Sequence, residues 1–542
     1  MESRRVSPEE INDWLSQRIA AILECPTAEI EADVPFPSLG LDSLSLLTLT
    51  GDLANWLGRD LAAPLLVGYP TVESLSRHLA EDQDADDSAS IPRAPRDQPL
   101  PLTFSQARIL GYSKMGPEGD SNLIGRRYIL KGKLSVPALQ WAFNKLICRH
   151  EVLRTTFGLQ DGEGVQIIHA PQPLTIEITD LSKEPQAENK AQEMAAAVAA
   201  TTAMDLQKGP LLRAVLLKMP GDEYRLIVLI HHMACDAEAL TIFCEDLETF
   251  YAAFTRGEKS PLPELPLQAA DIGAWQRDWL RKDGEAYQNR LTWWMQHWEG
   301  HIPAPLELPF RRKSPPASPP HPADCGFNSA IGPAIVEQIR RLAHSEGATS
   351  YVAFLAAFAV VLHRLTGEVD LVIGTYVSDR SRTDTRRMMG VFINMLPIRV
   401  RLHGLTTFRE LLLRMRDVVE QATRHRELPL EDLRHSLTAA GKPAPEVRVI
   451  FQLVPKAKHA LDLPGLEVDV WSLAARAMTM PWGFTMNLVT KGSFEAQVSC
   501  DGNLYDPAGV QALLQDYREL LRKIVADPEM AIRVEARDPA PV

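Results

Sequence analysis

No stretch of this 542-residue chain is apolar for long enough to cross a membrane as one helix. The longest uninterrupted run, Tyr351 to Leu362, falls short of the roughly 20 residues that a bilayer demands. No apolar core follows the opening Met1-Glu2-Ser3-Arg4-Arg5, so a secretory signal is not expected either. Six cysteines, at 25, 148, 235, 244, 325 and 500, contain no CxxC pair and no metal-ligand spacing. They read as free thiols of a reducing, cytoplasmic setting, and no metal site is expected. Excess positive charge is missing as well. Residues 1–87 hold 17 acidic and 5 basic side chains, a balance of -12, which leaves about -1 of the formal -13 for residues 88–542. That distribution argues against nucleic-acid binding and suits an acidic domain that meets basic patches on partner enzymes.

What remains is a globular composition, 45% hydrophobic and 23% charged, on a chain too long for a single core. Ser7-Pro8-Glu9-Glu10 supplies a helix start, and Ile11, Leu15, Ile19 and Ile22 carry one face of that helix. Leu44, Leu46, Leu47 and Leu49 open a second, which Trp56 and Leu57 extend. Gly68-Tyr69-Pro70-Thr71 then turns into a last helix through Leu75 and Leu79. The acidic run from Glu81 to Asp87, followed by Ile91-Pro92-Arg93-Ala94-Pro95, reads as an extended, mobile linker over 81–99. Beyond it helical and strand patterns alternate, which predicts an α/β class. Ala191 to Met204 is an expected helix, Tyr224 to Ile230 a buried strand, Ser350 to Leu365 a long apolar helix, and Leu371 to Gly374 a strand. Residues 310–323 are the other stretch rich in breakers.

Two short motifs carry chemistry. Ser43 stands in Gly40-Leu41-Asp42-Ser43-Leu44 at a predicted helix start. There a hydroxyl is exposed, and a phosphate ester on it gains from the helix dipole; the plain alternative is a helix cap. The second is Ile227 to Ile230 running into His231-His232, with Asp236 four positions after the second histidine. Neighbouring side chains on a strand point to opposite faces, so one imidazole of the pair can enter a cleft while the other packs.

The first motif, with the helices around it, resembles a phosphopantetheine-bearing carrier domain. Gly40-Leu41-Asp42-Ser43, with Trp56-Leu57-Gly58-Arg59, looks more like acyl carriers of fatty-acyl or polyketide systems than aminoacyl ones. The second resembles the HHxxxDG signature of nonribosomal peptide synthetase condensation domains, with Ala237 in place of glycine. Further segments match that family in order. They are Phe104-Ser105-Gln106-Ala107-Arg108, Arg149 to Phe157, Asp271 with Trp275 and Gln276, Ile373 to Arg380, Gly390 to Arg399, and His425 to Glu431.

The resemblance implies a small all-α carrier bundle at 1–80, the linker, and an α/β condensation domain of two chloramphenicol-acetyltransferase-like lobes set in a V, over 100–278 and 279–536. It implies a catalytic His232, a supporting Asp236 paired with Arg380, a packed His231, and largely structural roles for Arg154, Trp275 and Asn394. It implies 4'-phosphopantetheine on Ser43 and, as partners, a phosphopantetheinyl transferase, an upstream acyl-loading or polyketide enzyme and a downstream aminoacyl carrier. No membrane or nucleic-acid partner is expected. The implied reaction is amide formation between carrier-bound substrates. The alternatives are a chain-releasing ester- or amide-forming acyltransferase and a non-catalytic recruitment platform. If position 237 needed a positive φ, its alanine would cost roughly 1 kcal/mol and shift the loop.

Overall fold

The computed structural model describes residues 6–23, 25–34, 36, 39, 41, 49–50, 52–53, 56–57, 66, 69, 71–81, 91–113, 122–313, 326–380, 385–454, 461–471, 484–490 and 494–532. Ser43 and its neighbours 42 and 44–48 lie outside these residues, as do 82–90, 314–325 and Cys325.

The N-terminal helix Pro8–Leu23 starts where the sequence places it. Ser7 Oγ accepts from the Glu10 N–H, and the Glu10 carboxylate accepts from the Ser7 N–H, a reciprocal cap that satisfies two orphan donors. Its face of Ile11, Leu15 and Ile19 packs on Leu75 and Leu79 of the helix Val72–Glu81. Phe36, Leu41, Leu49, Leu53 and Leu57 complete one small core.

Fourteen described strands follow in the remainder. In the first half they are β1 (Leu100–Pro101), β2 (Leu123–Gly132), β3 (Thr155–Gln160), β4 (Glu163–Ile168), β5 (Glu177–Asp180), β6 (Leu212–Lys218) and β7 (Glu223–His231). In the second half they are β8 (Gly326–Ile331), β9 (Asp370–Ser378), β10 (Ile393–Arg401), β11 (Val449–Val454), β12 (Leu466–Val470), β13 (Phe484–Thr490) and β14 (Phe494–Cys500). They form a five-stranded sheet ordered β12-β2-β7-β6-β5, a six-stranded sheet ordered β10-β9-β11-β13-β14-β8, and a small sheet ordered β1-β4-β3. Each large sheet anchors its own hydrophobic core, so the two-lobed α/β plan holds.

The central strands read as continuous apolar runs because they are covered on both faces. β7 is buried from Arg225 to His231 and lies between β2 and β6. The helix Ser350–Thr366 is buried along most of its length and stops at Gly367, whose φ of 76° is the left-handed conformation that glycine adopts freely. The alanine-rich helix runs over Ala187–Thr201, a few residues earlier than the sequence pattern suggests. Among the described residues no single helix is long and apolar enough to cross a membrane.

Two expectations need correcting. The boundary after residue 278 is crossed twice. β12 comes from the second half yet pairs antiparallel with β2, from Leu466 opposite Gly132 to Val470 opposite Tyr128. Met388, Met389, Val391 and Phe392 also enter the core of the first lobe. Without β12, the edge of β2 would present unpaired backbone groups, a pairing that no local pattern announces. Second, the linker is not free over its described half. Ile91 is buried in the core of the first lobe, and Arg93, Ala94 and Arg96 are bonded to it.

Candidate active site

The candidate site is built where β7 ends. The His231 N–H donates to the Leu211 carbonyl at 2.9 Å, and His231 Nδ1 accepts from the Met233 N–H at 3.0 Å. That acceptance fixes Nδ1 as the unprotonated nitrogen and turns His231, fully buried, into part of the turn itself. His232 is held the opposite way. Its Nδ1 lies 2.8 Å from the Cys235 carbonyl oxygen, which can only accept, so Nδ1 carries the proton. Neutral His232 therefore presents Nε2 as a lone pair. Burial pushes its pKa down, and Arg108 adds to that, while the Cys235 carbonyl and Asp236 oppose it. The result lies below the ordinary histidine range, and the ring is a neutral base at pH 7.

This gives an expected pH dependence. Only the neutral ring can accept a proton, and the charged form is disfavoured, so loss of base activity on acidification sets in below the usual histidine range. The acidic limb of a kcat/KM profile is expected below the ordinary histidine value of about 6.5. A limb centred at or above 6.5 would show that burial does not control this imidazole.

The described hydrogen bonds of Asp236 make it a structural hub. It is the N-cap of the helix Ala237–Thr255, accepting from the Ala239 N–H at 2.7 Å. Its carboxylate also takes the Phe392 N–H at 3.0 Å and Arg380 Nη2 at 3.1 Å. Arg380 in turn donates to the carbonyls of Thr385, Met388 and Gly390, and pairs with Glu238 through Nε at 3.0 Å. Asp236 and Arg380 therefore fasten the second half of the chain onto the turn that holds His232. Gly390 sits where a Cβ would meet the Phe392 ring at 2.8 Å and the Ala269 Cβ at 3.0 Å, so this crossing admits only glycine. Ala237 is the first residue of its helix, and Asp161 is the sole described non-glycine with positive φ. Position 237 does not demand a positive φ, so its alanine carries no such backbone penalty.

The other anticipated residues lie in supporting positions. Arg154 donates to the His169 carbonyl and stands 3.7 Å from Glu151. It borders a separate cavity of about 1120 Å³ that neither His231 nor His232 lines. Trp275 stacks on Trp279 at 5.1 Å. Asn394 donates from Nδ2 to the Arg426 and Leu428 carbonyls, tying β10 to the segment from His425 to Glu431.

Several participants reach partners that the sequence did not indicate. Gln106 Nε2 donates to the Met233 carbonyl inside the histidine turn, and Ser105 exchanges hydrogen bonds with the Ile393 backbone in both directions. Arg108 is buried over the Tyr376 ring, 5.2 Å from its centroid. Away from the turn, Asp246 is fully buried and accepts from Arg149, His150 and Arg387. Burial pushes its carboxyl up, but His150 and the two arginines outweigh that and leave it below the usual range. Its three partners come from distant parts of the chain, which is why its neighbours in sequence gave no hint.

The carrier side fits a covalent arm in two respects. Leu41 and Leu49, which flank residues 42–48, are both buried in the small helical core. Ser43 supplies the hydroxyl that a phosphate ester requires.

Comparison with known proteins agrees with this division. A family model described as "Condensation domain" matches residues 96–536, and one described as "Phosphopantetheine attachment site" matches residues 13–79. A linear gramicidin synthase component of Brevibacillus parabrevis is 31% identical over 514 residues, 93% of this chain but 10% of that protein. Chondramide synthase cmdD of Chondromyces crocatus is 33% identical over 451 residues, 80% of this chain and 11% of that protein. The chain thus spans about a tenth of the length of these relatives. Among solved structures, the X-domain from teicoplanin biosynthesis superposes with a TM-score of 0.70 at 25% identity, covering 82% of this chain and 98% of that one. The first condensation domain of the calcium-dependent antibiotic synthetase gives 0.64 at 19% identity, covering 81% and 99%, a likeness of fold.

Proposed function

Because this chain belongs to the condensation-domain family, whose members form amide bonds by acyl transfer, and has a phosphopantetheine-attachment domain ahead of it, we propose that it carries an acyl chain on Ser43 and joins it to an amine on a downstream carrier. The observation that carries this reading is the commitment of His232 Nδ1 to the Cys235 carbonyl, which leaves Nε2 as the base.

The phosphopantetheine arm supplies the thioester that activates the acyl carbonyl and the sulfur that leaves. The chain's own residues do the rest. As the amine nitrogen attacks, a C–N bond forms and the C–S bond breaks, and His232 Nε2 moves the proton from nitrogen toward the departing sulfur. Such base assistance is worth on the order of 10²–10⁴-fold. Alignment of the two substrates contributes more, on the order of 7–11 kcal/mol. Asp236 and Arg380 contribute by holding the turn still.

The acyl-type surroundings of Ser43 favour a fatty or polyketide acyl cargo, and so a place at lipoinitiation or a polyketide-to-peptide junction. Partners of matching chemistry are a phosphopantetheinyl transferase, an upstream acyl-loading enzyme and a downstream aminoacyl carrier. A second reading, a recruitment platform without chemistry, draws support from the likeness to the teicoplanin X-domain, which has been solved in complex with OxyB.

Intact-protein mass after treatment with a phosphopantetheinyl transferase and octanoyl-coenzyme A tests the carrier. One acyl-arm addition is expected on the wild type and none on Ser43→Ala. An unmodified wild type, or a modified variant, would remove Ser43 from this role. Transfer of the loaded octanoyl group to glycyl-pantetheine thioester then separates the two readings, since a platform transfers nothing.

A further inference from the structure

The cavity of about 1120 Å³ in the first lobe lies where a strand is missing. On one side β6 is paired with β7 along its whole length, from Leu212 opposite Ile230 to Lys218 opposite Tyr224. On the other side β5 pairs only from Glu177, opposite Val215, to Asp180, opposite Lys218. Residues 212–214 therefore have no strand beside them on that edge, and all three line the cavity.

Alternation along a strand decides which backbone groups face the gap. The Leu211 carbonyl accepts from the His231 N–H on the β7 side, and the Lys218 carbonyl accepts from the Leu181 N–H on the β5 side. Odd positions of β6 thus point to β7 and even ones to the open edge. The Leu212 N–H and carbonyl and the Ala214 N–H look into the gap.

The gap is held open by two side-chain amides. The chain leading into β5 bonds to the helix Val136–Arg149 instead of to β6. The Leu174 N–H donates to Asn144 Oδ1 and the Ile176 N–H to Gln140 Oε1, each at 3.0 Å, while Gln140 Nε2 donates to the Leu174 carbonyl. Ile176 is buried in the core of the lobe, which keeps this lead-in away from β6.

The charges around the gap favour an acidic occupant. Both oxygens of Glu177 are taken by Arg213, at 2.7 and 2.8 Å, and Asp205 accepts from the Gln207 N–H at 2.9 Å. Arg154 and Lys208 line the same cavity, and the Lys208 side chain is 78% exposed.

We propose that this gap is a docking slot for an extended acidic peptide segment of a partner protein, which adds one strand to the vacant edge of β6. An open strand edge is a template for pairing; its main-chain groups supply affinity, and pockets for alternate side chains supply selectivity. His232 does not line the slot, so what docks there is recruited and not transformed.

Selection of random heptapeptides on the full chain supplies the probe, and fluorescence anisotropy measures its binding. The selected peptides are expected to be acidic, and Lys208→Glu is expected to weaken them about fivefold, the size of one exposed ion pair. Thr175→Trp places a ring on the wall of the slot and is expected to abolish binding. Thr175 and Lys208 are exposed and lie outside the transfer machinery, so both variants should move octanoyl at the wild-type rate. Methylating every second amide nitrogen of a selected peptide is expected to abolish binding in one register and spare it in the other, because only alternate amides meet β6.

No peptide enriched on the wild type over Thr175→Trp overturns the slot. Equal effects of the two methylated registers overturn strand addition, and selection of basic peptides overturns the charge preference. Displacement of the peptide by coenzyme A, whose pantetheine amides are also extended and end in phosphate, reassigns the gap to a small ligand and overturns the docking role. Should Thr175→Trp lose octanoyl transfer through misfolding, the methylated pair, measured on the wild type, decides alone.

Discussion

Replacing His232 by alanine is expected to slow single-turnover amide formation by about 10²–10⁴-fold while leaving the folded state in place. The size follows from what the ring supplies. Its Nε2 is the unprotonated nitrogen, because Nδ1 is committed to the Cys235 carbonyl, and burial keeps the ring neutral. Apart from the Nδ1 bond to the Cys235 carbonyl, the backbone of the turn is held without the ring. The His232 N–H donates to the Asn122 carbonyl, and the Cys235 N–H reaches the His232 carbonyl at 3.4 Å. Thermal melting should therefore move little, and the residual rate should reflect alignment alone. His232→Asn keeps a side-chain N–H at the position of Nδ1, facing the Cys235 carbonyl, but removes the base, so it should behave like the alanine variant. An asparagine variant with near wild-type rate would mean that His232 only shapes the turn.

Asp236→Ala is expected to do the reverse, with stability lost first and activity following it. The carboxylate compensates Arg380, the Ala239 N–H and the Phe392 N–H, all in a buried place. Removing it takes the buried carboxylate from the Arg380 guanidinium and leaves the more exposed Glu238, and breaking a buried pair from one side costs up to about 3–5 kcal/mol. Loss of a helix cap adds about 1 kcal/mol. Arg380→Ala should destabilise to a similar extent. The pair should be non-additive in a double-mutant cycle, because the two groups are in direct contact within one buried network. Denaturant unfolding of the full chain measures both. An unchanged unfolding midpoint for Asp236→Ala, together with lost transfer, would reassign the aspartate to the chemistry itself.

The parts of this molecule that were legible in its sequence are those with short-range signals. The reciprocal cap at Ser7 and Glu10, the apolar run of β7 and the apolar helix Ser350–Thr366 are all written in adjacent residues. The histidine pair and Asp236 were visible as a local pattern, and the structure places Arg380 against Asp236. Contacts made across long stretches of chain were not visible. β12 joins β2 over more than three hundred residues, and nothing in Leu466–Val470 distinguishes it from a strand of its own half. Ile91 to Arg96 has the composition of a linker, rich in proline and charge, yet Arg96 finds Asp271 175 residues away. Arg108 and Gln106 stand in Phe104–Arg108, a segment that resembles the family's pattern without telling what its side chains touch. Their place against Tyr376 and Met233 depends on how the two lobes meet.

The central claim is that a carrier-bound acyl group is transferred to an amine by this chain with His232 as base. The most direct test loads octanoyl onto Ser43 and follows, by rapid-quench mass spectrometry, the appearance of octanoyl-glycyl-pantetheine thioester from glycyl-pantetheine thioester, for wild type and His232→Ala side by side. The account predicts product from the wild type at a rate at least about a hundredfold above the variant, with matched loss of octanoyl from the carrier. Equal rates from the two proteins, or a loaded carrier that stays loaded in both, would contradict it.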